Sequence, residues 1–189
     1  MNPELLWVFG PTIAAISLTP GMCMTLAFTL GLSQGYRQTL WMIWGELAGV
    51  ATVVSTCVLL LAWIQSLSDL YYTMLALAGG SYLLLIAYRL WTQPAQFDRG
   101  EAQSRLPPWA LLTLGYVTAV MNPKGWGFMI ALLPGFMSVN YSTPQQLAAF
   151  LGVMLPSEFL SMTLYATGGS GFRRFLTTDQ HLANLNKVA

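Results

Sequence analysis

The sequence predicts an all-α fold, a polytopic membrane helical bundle, on three observations. Only 8% of the 189 residues are charged and 55% are hydrophobic, where a soluble domain carries about 25% charged residues. Mean hydropathy is +0.56. Five apolar runs, residues 5–32, 40–64, 70–91, 109–139 and 147–167, are each long enough for the roughly 20 helical residues that cross a bilayer. In lipid such runs are helical, because a helix pairs its own backbone groups, and nothing in the runs alternates as barrel strands do.

The first run starts with no Lys or Arg ahead of it and is far longer than a secretory leader's apolar core, so it reads as a retained span. At 28 residues it would reach roughly 42 Å as one helix, too long for a single crossing. Thr19-Pro20-Gly21 interrupts it near the middle. Threonine is a good N-cap and proline suits a first helical position, so the triplet predicts a helix that breaks and restarts at Pro20.

The second run carries Glu46 seven residues in and Gly45 and Gly49 around it, a small-xxx-small spacing that suits close helix approach. Gly31 and Gly35, just ahead of Arg37, have the same spacing. The third run, 70–91, ends in the polar, Pro-flanked stretch 92–108, read as a loop that divides one membrane domain, 1–189, into a front half (1–91) and a back half (109–189).

The fourth run is again too long, 31 residues or roughly 46 Å, and Asn122-Pro123-Lys124 interrupts it. Pro20 is the sixteenth residue of its run and Pro123 the fifteenth. The fifth run holds Glu158 as the twelfth of its 21 residues, near mid-depth. Pro11, Pro134 and Pro156 have no matched partners and read as kinks.

Positive charge is one-sided. Arg37, Arg89, Arg99, Arg105, Arg173, Arg174 and Lys187 fall on one side of an alternating five-span topology, and the opposite segments hold none. The positive-inside rule makes that side cytoplasmic, with the N-terminus periplasmic and residue 172 onward cytoplasmic. Trp7, Trp41, Trp63, Tyr71, Tyr72, Trp91, Trp109 and Tyr141 lie near run ends, as interfacial anchors do.

Matched breaks in two halves are a pointer to a transporter site at the bilayer midplane, since half-helix N-termini offer free N–H groups to an anion and the preceding carbonyls suit a cation. The candidate substrate-binding residues are Thr19, Pro20, Gly21, Asn122, Pro123 and Lys124. Glu158 and Glu46 are the candidates for proton coupling or an ion pair. A charge in a span costs about 2.5–3.5 kcal/mol on insertion scales, so these residues face a cavity or each other. Two readings stay open: Lys124 binds a substrate carboxylate while a glutamate handles protons, or Lys124 and a glutamate form a structural ion pair. Glu46 also has a third option, reaching the cytoplasmic interface.

Other chemistry finds no support. Net charge is +1 with no basic cluster, which excludes a nucleic-acid partner. Cys23 and Cys57 sit inside apolar runs and the single histidine, His181, lies in the polar tail, so no disulfide framework, metal site, cofactor or catalytic triad is expected. The expected partners are a small-molecule substrate and the lipid bilayer, with a homodimer through a glycine-lined face as a further option.

Thr19-Pro20-Gly21, Gly31 and Gly35 before a basic residue, Gly45 and Gly49, Asn122-Pro123-Lys124 and Leu133-Pro134-Gly135-Phe136 together resemble the lysine exporter and homoserine/threonine efflux family of amino-acid exporters. The likeness covers essentially the whole chain. It implies proton-motive export of amino acids or related metabolites across the bacterial inner membrane, and no enzymatic activity. It also implies six spans, so that five spans here leave a sixth expected in the complete protein; three spans in each half, an odd number, would set the two halves with their broken first and fourth spans in inverted orientations. The chain departs from the family where Met22-Cys23 follow Gly21, since proline-asparagine is usual there. Two alternatives are a transmembrane thiol-based electron carrier using Cys23 and Cys57, and a non-transporting membrane assembly subunit.

Overall fold

The computed structural model describes residues 3–67, 106–138 and 140–177, with some positions between 70 and 88, all of these last helical. Six helices are delimited: α1 (Pro3–Leu18), α2 (Met22–Gln34), α3 (Tyr36–Leu67), α4 (Pro108–Val120), α5 (Pro123–Phe136) and α6 (Thr143–Thr177). No strand occurs among the described residues. The complete third span, most of the 92–108 loop and the tail beyond Thr177 lie outside them. So do Arg89, Arg99, Arg105, His181, Lys187, Tyr71, Tyr72, Trp91 and the side chain of Arg174.

Among the described residues two helices are each long and apolar enough to cross a membrane, Tyr36–Ile64 and Thr143–Arg173, and the bent pair Trp7–Leu18 and Met22–Gln34 makes a third if it is taken as one span. Their outer surface is apolar: Trp7, Trp63, Leu160 and Leu164 are exposed, the inverse of a water-soluble surface and the form a lipid solvent requires.

The first run does break at its midpoint, with α1 and α2 meeting at 54°. Proline disfavours helical backbone in the residue before it, and α1 accordingly stops at Leu18. The restart differs from the sequence expectation. Thr19 does not cap and Pro20 is not the first helical residue. The Thr19 hydroxyl turns back to the Ala15 carbonyl at 2.9 Å, and α2 begins at Met22 with extended Gly21 as an N-cap that provides no side-chain hydrogen bond.

The fourth run breaks as its residues predict. α4 ends at Val120, and α5 opens on Pro123 with Asn122 as its cap, the side-chain oxygen accepting from the Lys124 N–H at 3.1 Å. The Trp126 indole N–H donates to the Val120 carbonyl at 2.7 Å, pairing one of the carbonyls a helix end leaves open. At 13 and 14 residues, α4 and α5 each span about 20 Å, so neither crosses a bilayer alone.

Gly35 is the only residue between α2 and α3. Its φ of 87° is left-handed backbone, which glycine adopts without a side-chain penalty. Its N–H reaches Leu30 and Gly31 carbonyls at 3.2 and 3.1 Å. Gly35 therefore reverses the chain and has nothing packed on its Cβ direction, whereas its sequence spacing to Gly31 suggested helix packing.

Gly31, Gly45 and Gly49 do bring backbones together. A Cβ on Gly45 would collide with the Leu112 carbonyl, one on Gly115 with the Met42 carbonyl, and one on Gly49 would lie 2.8 Å from the Tyr116 oxygen, so α3 and α4 cross in backbone contact. The same holds for α2 and α6, through Gly31 against Ala166 and Gly169 against Phe28. These faces close the bundle internally, so they are not the glycine-lined surface that a homodimer would use.

One core gathers around this glycine-packed end, with Met24, Ala27, Met42, Leu111 and Met162. The other lies beyond the breaks, where Phe9 meets Phe136 and Phe150 with ring centroids 4.9 and 5.2 Å apart. At the glycine-packed end, Arg173 donates to the Ser33 carbonyl at 3.3 Å. Leu106 is held there by both its N–H, to Gln34, and its carbonyl, from Gln38. The start of α4 and the ends of α2 and α6 thus share one end of the bundle with Arg37.

Candidate functional site

The two helix breaks face each other. Lys124, the second residue of α5, carries its ammonium across to the C-terminal carbonyls of α1 and donates to Thr19 at 3.0 Å and Ile16 at 3.4 Å. Helix C-terminal carbonyls carry partial negative charge and lack partners, so they suit an ammonium. The Phe128 ring lies below it, 5.8 Å from nitrogen to centroid. Lys124 thus pairs the Thr19 carbonyl in the break and is a second donor to the Ile16 carbonyl, which also takes the Thr19 N–H at 3.1 Å.

Both glutamates point to the same place. Lys124, Glu46 and Glu158 line one small cavity with Ser17, Thr19, Gly21, Cys23, Gly125 and Phe128, of about 60 Å³. That volume has room for a few water molecules, so anything larger needs the helices to part. A second cavity of about 50 Å³, lined mainly by Val50, Val53, Val54, Ala119 and Met154, shares Glu158, Gly125 and Met129 with the first. Glu158 therefore stands at a junction. A larger cavity of about 540 Å³ at Val120, Met121, Pro123 and Trp126 is bounded by apolar groups and holds none of these charges.

Glu158 accepts from the Ser17 hydroxyl at 3.0 Å through Oε1, and its buried Oε2 has no hydrogen-bond partner among the described residues. Glu46 is 2% exposed, and its Oε2 likewise has no partner among the described residues. The cytoplasmic-interface option for Glu46 is corrected here. α3 begins at Tyr36, four residues before the apolar run, so Glu46 stands ten residues or about 15 Å along it. That brings it level with the break at the start of α2. No ion pair joins Lys124 to either glutamate among the described residues; its donors go to backbone carbonyls, which argues against the structural ion pair.

The expected site residues divide. Lys124, Thr19, Gly21, Glu46 and Glu158 converge on the cavity. Asn122 sits beside it and donates from Nδ2 to the Cys23 sulfur at 3.7 Å. Pro20 is exposed in the break, and Pro123 lines the larger apolar cavity. A Cβ on Gly21 would lie 3.4 Å from the Lys124 nitrogen, so glycine keeps the lysine against the start of α2.

Ser17 and Phe128 do not figure in the sequence reading, and Cys23 enters it only as a departure from the family pattern and as a possible redox thiol. Ser17 lies one α-helical turn before the break, a signal available in principle. Cys23 stands where the sequence departs from the family pattern, and its thiol takes the Asn122 amide. The two cysteines are both free and buried in different cores, an arrangement that gives the thiol-carrier alternative no paired site. Tyr165 adds a further tie, donating to the Leu18 carbonyl at 2.9 Å.

Comparison with known proteins adds an independent line. Residues 14–189 match the family model described as LysE type translocator. An uncharacterized membrane protein of Vibrio cholerae is 23% identical over 177 residues, covering 94% of this chain and 86% of that one. A homoserine/homoserine lactone efflux protein of Salmonella typhimurium is 26% identical over 193 residues, covering 100% and 91%. A cysteine/O-acetylserine efflux protein of Escherichia coli K12 is 26% identical over 117 residues, covering 62% and 60%. No solved structure matches the chain.

Proposed function

The chain belongs to the LysE type translocator family, and from that premise we propose that it exports amino acids or closely related small metabolites across the bacterial inner membrane, driven by the proton motive force. It is a multi-pass membrane protein and a transporter, not an enzyme. Amino-acid and metabolite export is supported by the efflux proteins it resembles.

One observation carries the mechanism: Lys124, Glu46 and Glu158, three ionisable groups that are costly in a membrane, line one small cavity between two broken helices. In the proposed cycle the substrate carboxylate takes the Lys124 ammonium and the open start of α2 at Gly21, with Thr19, Pro20, Asn122 and Pro123 shaping the two breaks. Glu158, at the junction of two cavities, carries the coupled proton. The halves around residues 1–91 and 109–189 act as inverted repeats that rock about this site, with the Arg37 and Arg173 end in the cytoplasm.

The test is excretion. A strain overproducing the protein is loaded with a panel of amino acids that includes homoserine, cysteine and O-acetylserine, and external concentrations are followed. At least one compound should leave faster than from the empty-vector strain, and replacement of Lys124 should abolish the difference. A panel with no excreted compound would overturn the reading in favour of a non-transporting subunit.

A further inference from the structure

We propose that Glu46 takes the ammonium group of the transported amino acid, so that the substrate lies across the cavity with its carboxylate toward Gly21, Cys23 and Lys124. The assignment rests on the export reading above and adds the polarity of the bound substrate.

An inventory of the cavity's polar groups leads to it. The Lys124 ammonium already donates to the Thr19 and Ile16 carbonyls. The Cys23 sulfur already accepts from Asn122. One Glu158 oxygen already accepts from Ser17. What remains is Oε2 of Glu46 and Oε2 of Glu158, two buried oxygens with no donor among the described residues. Buried polar atoms are nearly always paired, and a buried carboxylate left alone is costly. The cavity is therefore short of a donor, and a primary ammonium supplies three N–H groups and the balancing charge.

The opposite wall differs in kind. α2 starts without a side-chain cap, which leaves the first-turn N–H groups of Met22, Cys23 and Met24 without helical partners. The Lys124 nitrogen lies against the same corner, next to Gly21. The start of α5 is not equivalent, because the Asn122 side chain occupies the Lys124 N–H. Of the two half-helix starts, the one at Gly21 is left for an anion. One cavity thus has a positive pole at Gly21 and Lys124 and a negative pole at Glu46 and Glu158. That arrangement orients an α-amino acid, whose two charges are one carbon apart.

Between the glutamates, Glu46 is the ammonium residue because no described side chain donates to its Oε2 and it is almost fully buried. Glu158 is steadied by Ser17 and opens on the second cavity, which suits a proton carrier. The chemistry selects a substrate with a free α-ammonium and excludes its N-acylated form.

The experiment uses the full chain purified and reconstituted into liposomes. Counterflow, the exchange of labelled for unlabelled substrate, is measured with homoserine, cysteine and O-acetylserine in turn, since exchange needs no net proton movement. We expect competition by the free amino acid and none by its N-acetyl derivative. Glu46→Gln should raise the half-saturation concentration at least about ten-fold, the loss of one charged hydrogen bond, while Glu46→Asp retains part of the affinity. A Glu46→Gln protein that exchanges within two-fold of wild type, or equal competition by the N-acetyl derivative, overturns the assignment and leaves export standing. A wild-type protein that exchanges none of the compounds overturns both.

Discussion

The Lys124 ammonium lies 3.0 Å from the carbonyl oxygen of Thr19, so the break in one half of the chain is held by the first turn of the helix that restarts in the other. Replacing Lys124 with methionine keeps an unbranched side chain only one atom shorter and removes the charge. Export should fall at least about a hundred-fold, on the scale of two lost charge-assisted hydrogen bonds at about 1.5–3 kcal/mol each. Protein in the membrane fraction should stay near wild type, because an uncharged residue inserts more readily. Paired excretion and immunoblot measurements check both halves of the statement.

Glu158 separates transport from its driving force. Glu158→Gln keeps the Ser17 contact through the amide oxygen but cannot cycle a proton. In proteoliposomes an imposed pH gradient should no longer drive accumulation, while exchange continues. Accumulation at wild-type level in this variant would move the proton to another group.

Asn122 caps α5 and also donates to Cys23. Asn122→Ala should lower stability by about 1 kcal/mol, the usual cost of a lost N-cap, read as a drop in thermal midpoint in detergent. Asn122→Asp restores the cap and should recover most of that loss.

The glycines separate by what lies beside them. Gly45→Leu and Gly115→Leu place side chains into the facing backbone of the α3/α4 crossing, and should prevent the folded protein from accumulating. Gly152→Ala, in α6 with nothing within 4 Å, should be tolerated and slightly stabilising, since alanine is the better helix former by about 1 kcal/mol. Fluorescence-detected size-exclusion profiles distinguish the two classes.

Cys23 and Cys57 test the redox alternative. With both changed to serine, export should remain within a few-fold of wild type, because the Cys23 hydroxyl replacement still accepts from Asn122 and the Cys57 site only fills space. A complete loss of activity in Cys57→Ser alone would revive a role for the thiols, as that residue lies away from the charged cavity.

Much of this was legible in the sequence. Composition dictated a membrane bundle, because a chain with so few charges cannot cover a water-facing surface. Asn122-Pro123-Lys124 dictated a helix start, because cap and proline act within one turn. The same local logic went wrong at Thr19-Pro20-Gly21. There the Thr19 hydroxyl had two backbone partners to choose from, and the upstream Ala15 carbonyl took it. Gly35 was likewise misread, since a spacing of four does not distinguish a packing glycine from a turn glycine.

By itself, then, the sequence determined the solvent this protein folds in, the places where its spans are interrupted, and the identity of the charges within them, all properties of neighbours along the chain. Only the tertiary structure decided that Glu46 belongs with Lys124 and Glu158 rather than at the membrane surface. It also decided that the lysine is held by carbonyls rather than by a carboxylate, and that Ser17 and Cys23 complete the cavity. These are contacts between residues up to 141 positions apart. They depend on the single-residue turn at Gly35 and on the backbone-close glycine crossings, which bring the second span level with the break in the first.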